Sequence, residues 1–573
     1  MTDDTDPRKG RYRPGQLLRR QFLKAAGAGL AATAFGSGVA AADSDGKPYV
    51  GPLSASYDAA TVVPGEIDRV TTEVGGDGEG EGEEEHREIP KKGPEATGSA
   101  TGGGGDVQRS VATGDLVERD FDGLGAADVR GVVPSDAQVG AGPDHVFEAI
   151  NSRLAAYTKD GEQLFEYTLD DWFQNVSPYI YEGGPEGEEG PADFFQDYII
   201  FDPRVRYDEG ADRFILACVD LSLNTLFGGF LLSVSSTDDP TDPWYNYYVP
   251  PLYPDGEGGT EERPGLVDYP ELGYDEDAIY LTQNFFPGPF TQATMVALDK
   301  DAAAAGETAD ANHFTGLKNP DGSPAFTVQP AAVDGSSPGH FANSTYFQGQ
   351  TLTVWGIEDP LTDDPSFWNE AVPVRPYHNP PSGAEQPETE EKIDMGDDRL
   401  MRVSFDGEHL WTAHTVNDGR ARWYELDPSE GSVVQSGSFK RHGRASFFPA
   451  IEADGTGAAF VYNTASPASD GSGYVGMEVA ARTPADPAGD VGAFQVVQEG
   501  VDDYDYVDGP AGEPDTGPQV MRWGDYNGIS PDPADGGFWI VSQYASTPSP
   551  RAEEKDYLDD SDYDTRIAYV TLE

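Results

Sequence analysis

Five aspartates recur at comparable points of the chain, each shortly before a strand-like segment. We call them the leading aspartates, and they are Asp136, Asp202, Asp268, Asp398 and Asp525. Carboxylates that are brought together repel one another, so they either share a cation or one of them keeps a proton. The pattern therefore predicts a cluster that could bind Ca²⁺ through Asp136, Asp202, Asp268 and Asp525, or that could act as acid and base.

Two further kinds of residue stand near the same points. His340 and Ser446 occupy the corresponding positions of two more copies of the pattern and would complete a ring with the leading aspartates. Four arginines lie close by, namely Arg204, Arg399, Arg444 and Arg522. They could bind the carboxylate of a sugar acid, or they could pair with the aspartates. A purely structural alternative is that each leading aspartate caps a turn or bonds to its own backbone.

The elements that must position these residues form a degenerate repeat of about 60 residues, which is within the range of a propeller blade with long loops. Each copy has a polar start, a strand, a turn and a second strand with an aromatic or aliphatic core; a third strand usually follows. One copy alone would expose both faces of its sheet, so the copies must be arranged around an axis. The predicted fold is all-β, a β-propeller over 116–573 with seven four-stranded blades; six or eight blades are the alternatives.

Several stretches resemble an uncharacterised family of secreted β-propeller proteins. The resemblance rests on Asp120-FDGLGAADVRGVVPSDAQVGAGPDHVFEAINSRLAAYTKDG, Phe201-DPRVRYDEGADRFILA, Asp268-YPELGYDEDAIYLT and Arg522-WGDYNGIS. It implies a propeller fold and export from the cell. It implies no particular reaction.

The composition excludes several classes of partner. Asp and Glu number 102 against 37 Lys and Arg, which gives a formal net charge of −65. A field this negative repels the phosphates of nucleic acids and anionic membranes. The single cysteine, Cys218, excludes a disulfide framework and a cysteine-based zinc site. Because the carboxylates are spread from end to end, we interpret the composition as halophilic adaptation, typical of an archaeon that accumulates salt.

The N-terminus has the layout of an export signal. Arg19, Arg20, Phe22 and Leu23 form a twin-arginine motif, and an Ala/Gly-rich stretch follows it. We therefore predict a signal peptide over 1–42, then a disordered acidic Gly/Glu-rich linker over 43–115. The apolar stretch is too weak for a confident membrane span, so no transmembrane domain is predicted.

Two functions are compatible with these features. The first is an exported, non-catalytic binding or cell-surface interaction module, expected to be a monomer, whose ligand is an extracellular protein, a glycan or a small molecule. The second is an extracellular glycan-active enzyme, a hydrolase or lyase, with its site at one end of the central channel. Ca²⁺ is the only candidate cofactor.

The halophilic interpretation makes a direct prediction about stability. Molar KCl shortens the Debye length to about 3 Å and so screens the repulsion between surface carboxylates. We expect the melting temperature, measured by circular dichroism, to rise by several degrees as KCl is raised towards saturation. A melting temperature that does not change with salt would rule out halophilic adaptation.

Overall fold

The computed structural model describes most of the chain after the predicted signal. The described residues are 52–65, 112–113, 115–126, 128, 133–178, 198–257, 259–335, 338–468, 473–504, 520–546 and 562–572. The predicted signal peptide, with Arg19, Arg20, Phe22 and Leu23, lies outside these residues.

The described residues form seven mainly antiparallel sheets of four or five strands, which we number sheet 1 to sheet 7. Sheet 1 contains Gln138–Ala141, His145–Ile150, Arg153–Thr158 and Gln163–Thr168. Sheet 2 contains Tyr198–Asp208, Arg213–Ser222, Gly228–Ser235, Trp244–Val249 and, at its outer edge, Ala60–Val62. Sheet 3 contains Leu266–Tyr274, Ala278–Phe286, Gln292–Asp299, Ala309–Thr315 and, at its outer edge, Leu53–Tyr57.

The remaining sheets follow the same plan. Sheet 4 contains Gln329–Pro330, Gly339–Ser344, Gln348–Glu358 and Ser366–His378. Sheet 5 contains Arg402–Phe405, Leu410–Val416, Arg420–Asp427 and Ser432–Phe439. Sheet 6 contains Ala445–Asp454, Gly457–Ala465, Gly476–Arg482, Ala493–Gln498 and Ala112–Thr113. Sheet 7 contains Gly528–Pro531, Phe538–Ser546, Asp562–Val570 and Val117–Gly125.

Only short elements lie between the sheets. Two small sheets pair Tyr253–Pro254 with Thr260–Glu261, and Lys392–Asp394 with Gly383–Glu385 and Val520–Met521. Among the described residues, the helices are α1 (Leu169–Phe173), α2 (Lys300–Ala305) and a 3₁₀ turn at Arg441–Gly443. Each α-helix begins at a side chain that caps it, because Thr168 accepts from Asp171 N and Asp299 accepts from Ala302 N.

The seven sheets are arranged around an axis. The first strand of each sheet contacts the first strand of the next, and that of sheet 7 contacts that of sheet 1. Val117–Gly125, from the start of the domain, is the outer strand of sheet 7 beside Asp562–Val570. Sheet 7 therefore joins the two ends of the domain, and the prediction of an all-β propeller architecture is confirmed.

Aromatic side chains fill the space between neighbouring sheets. The Phe147 ring of sheet 1 lies 5.1 Å from Trp244 and 6.0 Å from Phe214 of sheet 2, measured between ring centroids. All three side chains are fully buried. Large apolar areas removed from water in this way supply most of the adhesion between sheets.

A repeated hydrogen bond also links each of several sheets to the next. A side-chain oxygen near the end of a second strand accepts from a backbone N–H at the start of the following sheet, where the backbone has positive φ. Three such pairs, with φ of the donor in parentheses, are Asn151 to Asp202 (54°), Asn284 to Thr327 (49°) and Thr415 to Phe448 (50°). Asp tolerates this left-handed backbone better than most residues, which gives Asp202 a structural role.

Two expectations from the sequence need correction. Residues 53–57 and 60–62 do not belong to a disordered linker, because they form the outer strands of sheets 3 and 2 through antiparallel pairing. Their alternating apolar and polar residues suit an edge position, although the acidic, Gly-rich composition around them hides it. The start of sheet 4 is the two-residue strand Gln329–Pro330, so His340 lies in its second strand and not before its first.

A buried glutamate seals the junction where the ring closes. Glu148 of sheet 1 accepts hydrogen bonds from Leu124 N at 3.0 Å, Thr565 Oγ1 at 2.6 Å and Tyr157 OH at 3.0 Å. Leu124 and Thr565 belong to the outer two strands of sheet 7, so one carboxyl group ties sheet 1 to both. Burial raises the pKa of Glu148 to about 7 despite these three donors.

The raised pKa of Glu148 predicts a pH-dependent stability. Between its ordinary pKa of 4.5 and about 7, the folded protein keeps a proton that the unfolded chain has lost. The free energy of unfolding should therefore fall as pH rises through this range, by about 3 kcal/mol in total. In Glu148→Gln this contribution should be absent, as measured by denaturant unfolding in constant KCl between pH 5 and pH 8.

The exposed Glu385→Gln provides the matched control and should follow the wild-type pH curve. Parallel curves for wild type and Glu148→Gln would mean that Glu148 is not buried as described.

Candidate functional site

The starts of sheets 1, 2, 3 and 7 bring four leading aspartates together near the axis. Asp136 and Asp525 precede the first strands of sheets 1 and 7, whereas Asp202 and Asp268 lie within the first strands of sheets 2 and 3 and not before them. Asp136 and Asp202 are buried, and both have positive φ. Burial, followed by the charges of Asp136 and Asp268, raises the pKa of Asp202 well above its usual range. Asp202 thus interacts electrostatically with Asp136, Asp268 and Asp525.

Asp136 and Asp525 occupy different environments. Asp136 accepts from Asp525 N at 2.6 Å and from Asn151 Nδ2 at 2.7 Å. Burial and then the Asp525 charge raise the pKa of Asp136 to about 6. Asp525 instead receives both Nη atoms of Arg522, each at 2.7 Å, a bidentate pair that stabilises its charged form.

Two tyrosines and two arginines cover the centre of this group. The Arg204 guanidinium lies 3.2 Å from the centroid of the Tyr526 ring, and that of Arg399 lies 4.1 Å from the Tyr269 ring. Tyr269 and Tyr526 meet edge to face at 5.6 Å. Since these residues come from sheets 2, 3 and 5 and the start of sheet 7, they meet across the axis. We call this group the axial cluster; it contains Asp136, Asp202, Asp268, Asp525, Arg204, Arg399, Arg522, Tyr269 and Tyr526.

A second layer of ion pairs lies further along the same strands. Arg204 Nη2 bonds Glu271 Oε1 at 2.7 Å. Arg206 and Arg402 share Glu452, at 3.4 Å and 2.7 Å, and all three side chains are buried. Burial, and then the charge of Arg402, lowers the pKa of Arg206 to about 10. Sheets 2 and 6 are not neighbours, so the Arg206–Glu452 pair bridges the axis.

The other predicted site residues lie elsewhere. Asp398 accepts from Phe347 N at 3.0 Å, and burial, followed by the charge of Asp397, raises its pKa well above the usual range. His340 packs against Phe405 and Trp368, and burial lowers its pKa to about 4, so it is neutral at pH 7.

Arg444 also points to other partners, because Glu478 and Glu499 face it. The structure therefore assembles four of the five leading aspartates with Arg204, Arg399 and Arg522, but not with Arg444 or His340.

The second layer and both tyrosines were not predicted from the sequence. A signal was present in the first strand of sheet 2, where every second residue is charged: Asp202, Arg204, Arg206 and Asp208. Alternation places Arg204, Arg206 and Asp208 on one face of the strand, after the irregular pairing at Asp202. Which carboxylates they would meet across the axis cannot be found from one strand alone.

The described residues contain no group of three or more His, Cys, Asp or Glu side chains arranged to hold a metal ion. Ca²⁺ at Asp136, Asp202, Asp268 and Asp525 stays a prediction. Within the same ranges no helix is long and apolar enough to cross a membrane.

The chain matches no protein-family model. No curated protein sequence matches it either. Solved structures with some likeness include apo AztD from Citrobacter koseri, at 10% identity and a TM-score of 0.29, covering 64% of this chain and 90% of that one. Trypanosoma rangeli sialidase has 9% identity and a TM-score of 0.29, covering 64% of this chain and 54% of that one. A thermostable family-43 glycoside hydrolase has 12% identity and a TM-score of 0.25, covering 66% and 91%.

The chain thus spans about half the length of the sialidase. Two of these three proteins are enzymes by name, a sialidase and a glycoside hydrolase. With every TM-score below 0.5, the likeness carries no argument about the activity of this chain.

The shared carboxylate of the second layer should be important for stability. Glu452→Gln leaves Arg206 and Arg402 buried without their common counter-ion, so we expect a loss of about 3–5 kcal/mol in the free energy of unfolding. Denaturant unfolding at constant KCl measures the loss. The matched control is Glu261→Gln, which breaks an exposed pair with Arg263 and should cost less than about 1 kcal/mol. A small effect for Glu452→Gln would contradict a buried bridge across the axis.

Proposed function

We propose that the protein is an exported, halophilic, seven-bladed β-propeller that binds a ligand outside the cell without transforming it. In this proposal 1–42 is a twin-arginine signal, each of the seven sheets is one blade, and the chain is related to the secreted propellers that it resembles. One observation supports the non-catalytic role above others: the arginines of the axial cluster are already paired with carboxylates of the chain itself.

Arg204 and Arg399 both form close hydrogen bonds with other groups of the chain. Arg204 bonds Glu271 and the Pro270 carbonyl oxygen, at 2.7 and 2.8 Å. Arg399 places Nε and Nη2 on Asp397, at 2.8 and 2.7 Å. A catalytic site that works on an external substrate needs groups that can reach it, whereas these side chains are almost wholly buried. The arrangement suits a rigid centre that positions surface loops for binding.

A glycan-active enzyme is the second candidate, and the Asp136–Asp525 pair favours it. Hydrolysis of a glycosidic bond commonly uses two carboxyl groups, one protonated and one ionised. The environment of Asp136 raises its pKa to about 6, while Arg522 stabilises the charged form of Asp525. Two carboxyl groups whose protonation is pushed apart in this way meet the requirement for an acid and a base.

One experiment separates the two candidates. Purified protein in high KCl is screened for binding and for hydrolysis against neutral and acidic polysaccharides, alongside Asp136→Asn and Asp525→Asn and with bound metal measured for each. We expect wild type to bind at least one ligand without turnover, and both variants to bind it within about threefold of wild type, because neither residue contacts it.

The control is Asp427→Asn, which changes a partly exposed aspartate at the end of the strand Arg420–Asp427, far from the axial start of sheet 5. Turnover by wild type that is lost in folded Asp136→Asn or Asp525→Asn, but kept in Asp427→Asn, would replace the binding module with the enzyme.

A further inference from the structure

The most basic segment of the described chain is the connection between sheets 5 and 6. It reads Lys440-Arg441-His442-Gly443-Arg444, in a protein with nearly three acidic residues for each Lys or Arg. It runs from the outer strand Ser432–Phe439 to the first strand Ala445–Asp454. A Cβ added to Gly443 would meet no atom within 4 Å, so this turn faces open space.

Arg444 in this connection is only partly satisfied. Its Nη1 lies 3.2 Å from Glu478 Oε1. Its Nε and Nη2 are buried and have no hydrogen-bond partner. These two nitrogens form the edge of the guanidinium that receives a carboxylate or another oxyanion through two parallel bonds. Leaving such donors unsatisfied is unfavourable, so the edge is suited to an oxyanion from outside.

Neither nearby glutamate completes this edge. Glu478 is buried and already accepts from Arg441 Nη1 at 3.1 Å and from Tyr462 OH at 2.9 Å, which hold it in place. The exposed Glu499 comes within 3.6 Å of Arg444 Nη2, beyond the usual limit for a hydrogen bond. Glu499 therefore lies over the edge without bonding to it, and it can swing away at little cost.

Ser446, in the first strand of sheet 6 just after this connection, is a second residue with an unsatisfied polar group. Its hydroxyl is buried and has no hydrogen-bond partner. By contrast Arg399, one of the other arginines near the strand starts, uses the equivalent Nε–Nη2 edge on Asp397.

We propose that the Nε–Nη2 edge of Arg444 is the binding site for an oxyanion of the ligand, a sugar carboxylate or a sulfate, which displaces Glu499. This site deepens the proposed function, on which it rests, by naming the chemistry of the ligand and placing it outside the axial cluster. The basic segment attracts an anion electrostatically over a short range. The two parallel donors of the Arg444 Nε–Nη2 edge, which form a fork, give specificity for a planar or tetrahedral oxyanion.

Isothermal titration calorimetry at constant KCl tests the site with three ligands. They are trigalacturonate as the sugar acid, its methyl ester as the neutral counterpart, and sodium sulfate as the second oxyanion. Wild type should bind at least one of the two anions and not the ester. Arg444→Lys keeps the charge but loses the fork, so affinity should fall by about tenfold or more. Glu499→Gln removes the competing carboxylate, so affinity should rise. Lys318→Gln, the matched control, removes a positive charge between sheets 3 and 4, outside the basic segment, and should change affinity by less than about threefold.

The outcomes separate the two kinds of oxyanion and the two proposals. Binding of sulfate but not trigalacturonate assigns a sulfated ligand, and the reverse assigns a sugar acid. Equal affinity of folded Arg444→Lys and wild type, or weaker binding in Glu499→Gln, would overturn the site. If wild type binds neither anion yet binds a neutral glycan in the wider screen, this site is wrong while the proposed binding function stands. Melting temperature in KCl confirms the folding of each variant.

Discussion

The pairing of scarce cations with carboxylates at the axis is the interaction on which the rest of the structure depends. Seven sheets can meet around an axis only if the side chains of their first strands pack together without uncompensated charge. In this chain many of those side chains are charged. Arg206 and Arg402 enclose Glu452, and Arg204 holds Glu271. At the far end of the first strand of sheet 2, Asp208 pairs with the buried Lys300. With only 37 Lys and Arg in the chain, this concentration at the centre leaves most surface carboxylates to water and salt.

The axial pairs also explain why some leading aspartates are needed whether or not they bind anything. Asp136 joins sheet 1 to the start of sheet 7 by accepting from Asp525 N, and Asp202 takes the left-handed backbone that lets Asn151 reach its N–H. The same hydrogen bond is formed at Thr327 and Phe448 by residues of other types. The backbone geometry is therefore the common feature, and aspartate is one way to meet it.

Much of the fold could be predicted from the sequence, because a repeated strand pair with a polar start is a local pattern. The repeat located six of the seven sheets, but it misplaced the start of sheet 4, where the first strand is only Gln329–Pro330 and proline cannot donate a ladder hydrogen bond. The outer strands Leu53–Tyr57 and Ala60–Val62 were hidden for a different reason. Their pairing with Ala309–Thr315 and Trp244–Val249 crosses about two hundred residues or more, and composition carries no information on such contacts.

The candidate site was also predictable only in part, because the sequence shows local patterns but not contacts between distant sheets. Position before a first strand indicated that Asp136, Asp202, Asp268 and Asp525 converge, since the strands share an axis. It could not indicate which carboxylate each arginine would pair with. Arg399 turns to Asp397, two residues away, whereas Arg444 turns outward to Glu478. Tyr269 and Tyr526 contact each other at the axis, and the guanidinium groups of Arg399 and Arg204 lie over their rings. No spacing in the sequence predicts these contacts.

The distribution of satisfied and unsatisfied donors bears on where a ligand would bind. At the axis, Glu271 and Asp397 are the buried partners of Arg204 and Arg399, so a ligand that competed for either arginine would leave a buried carboxylate that it must also compensate. At Arg444 the competing group is Glu499, whose exposed carboxylate returns to water when displaced. The cost of admitting an oxyanion is therefore much lower at the edge of sheet 6 than at the axis. A propeller built in this way can keep a rigid centre, whose charged groups are paired within the protein, and bind a ligand through its loops.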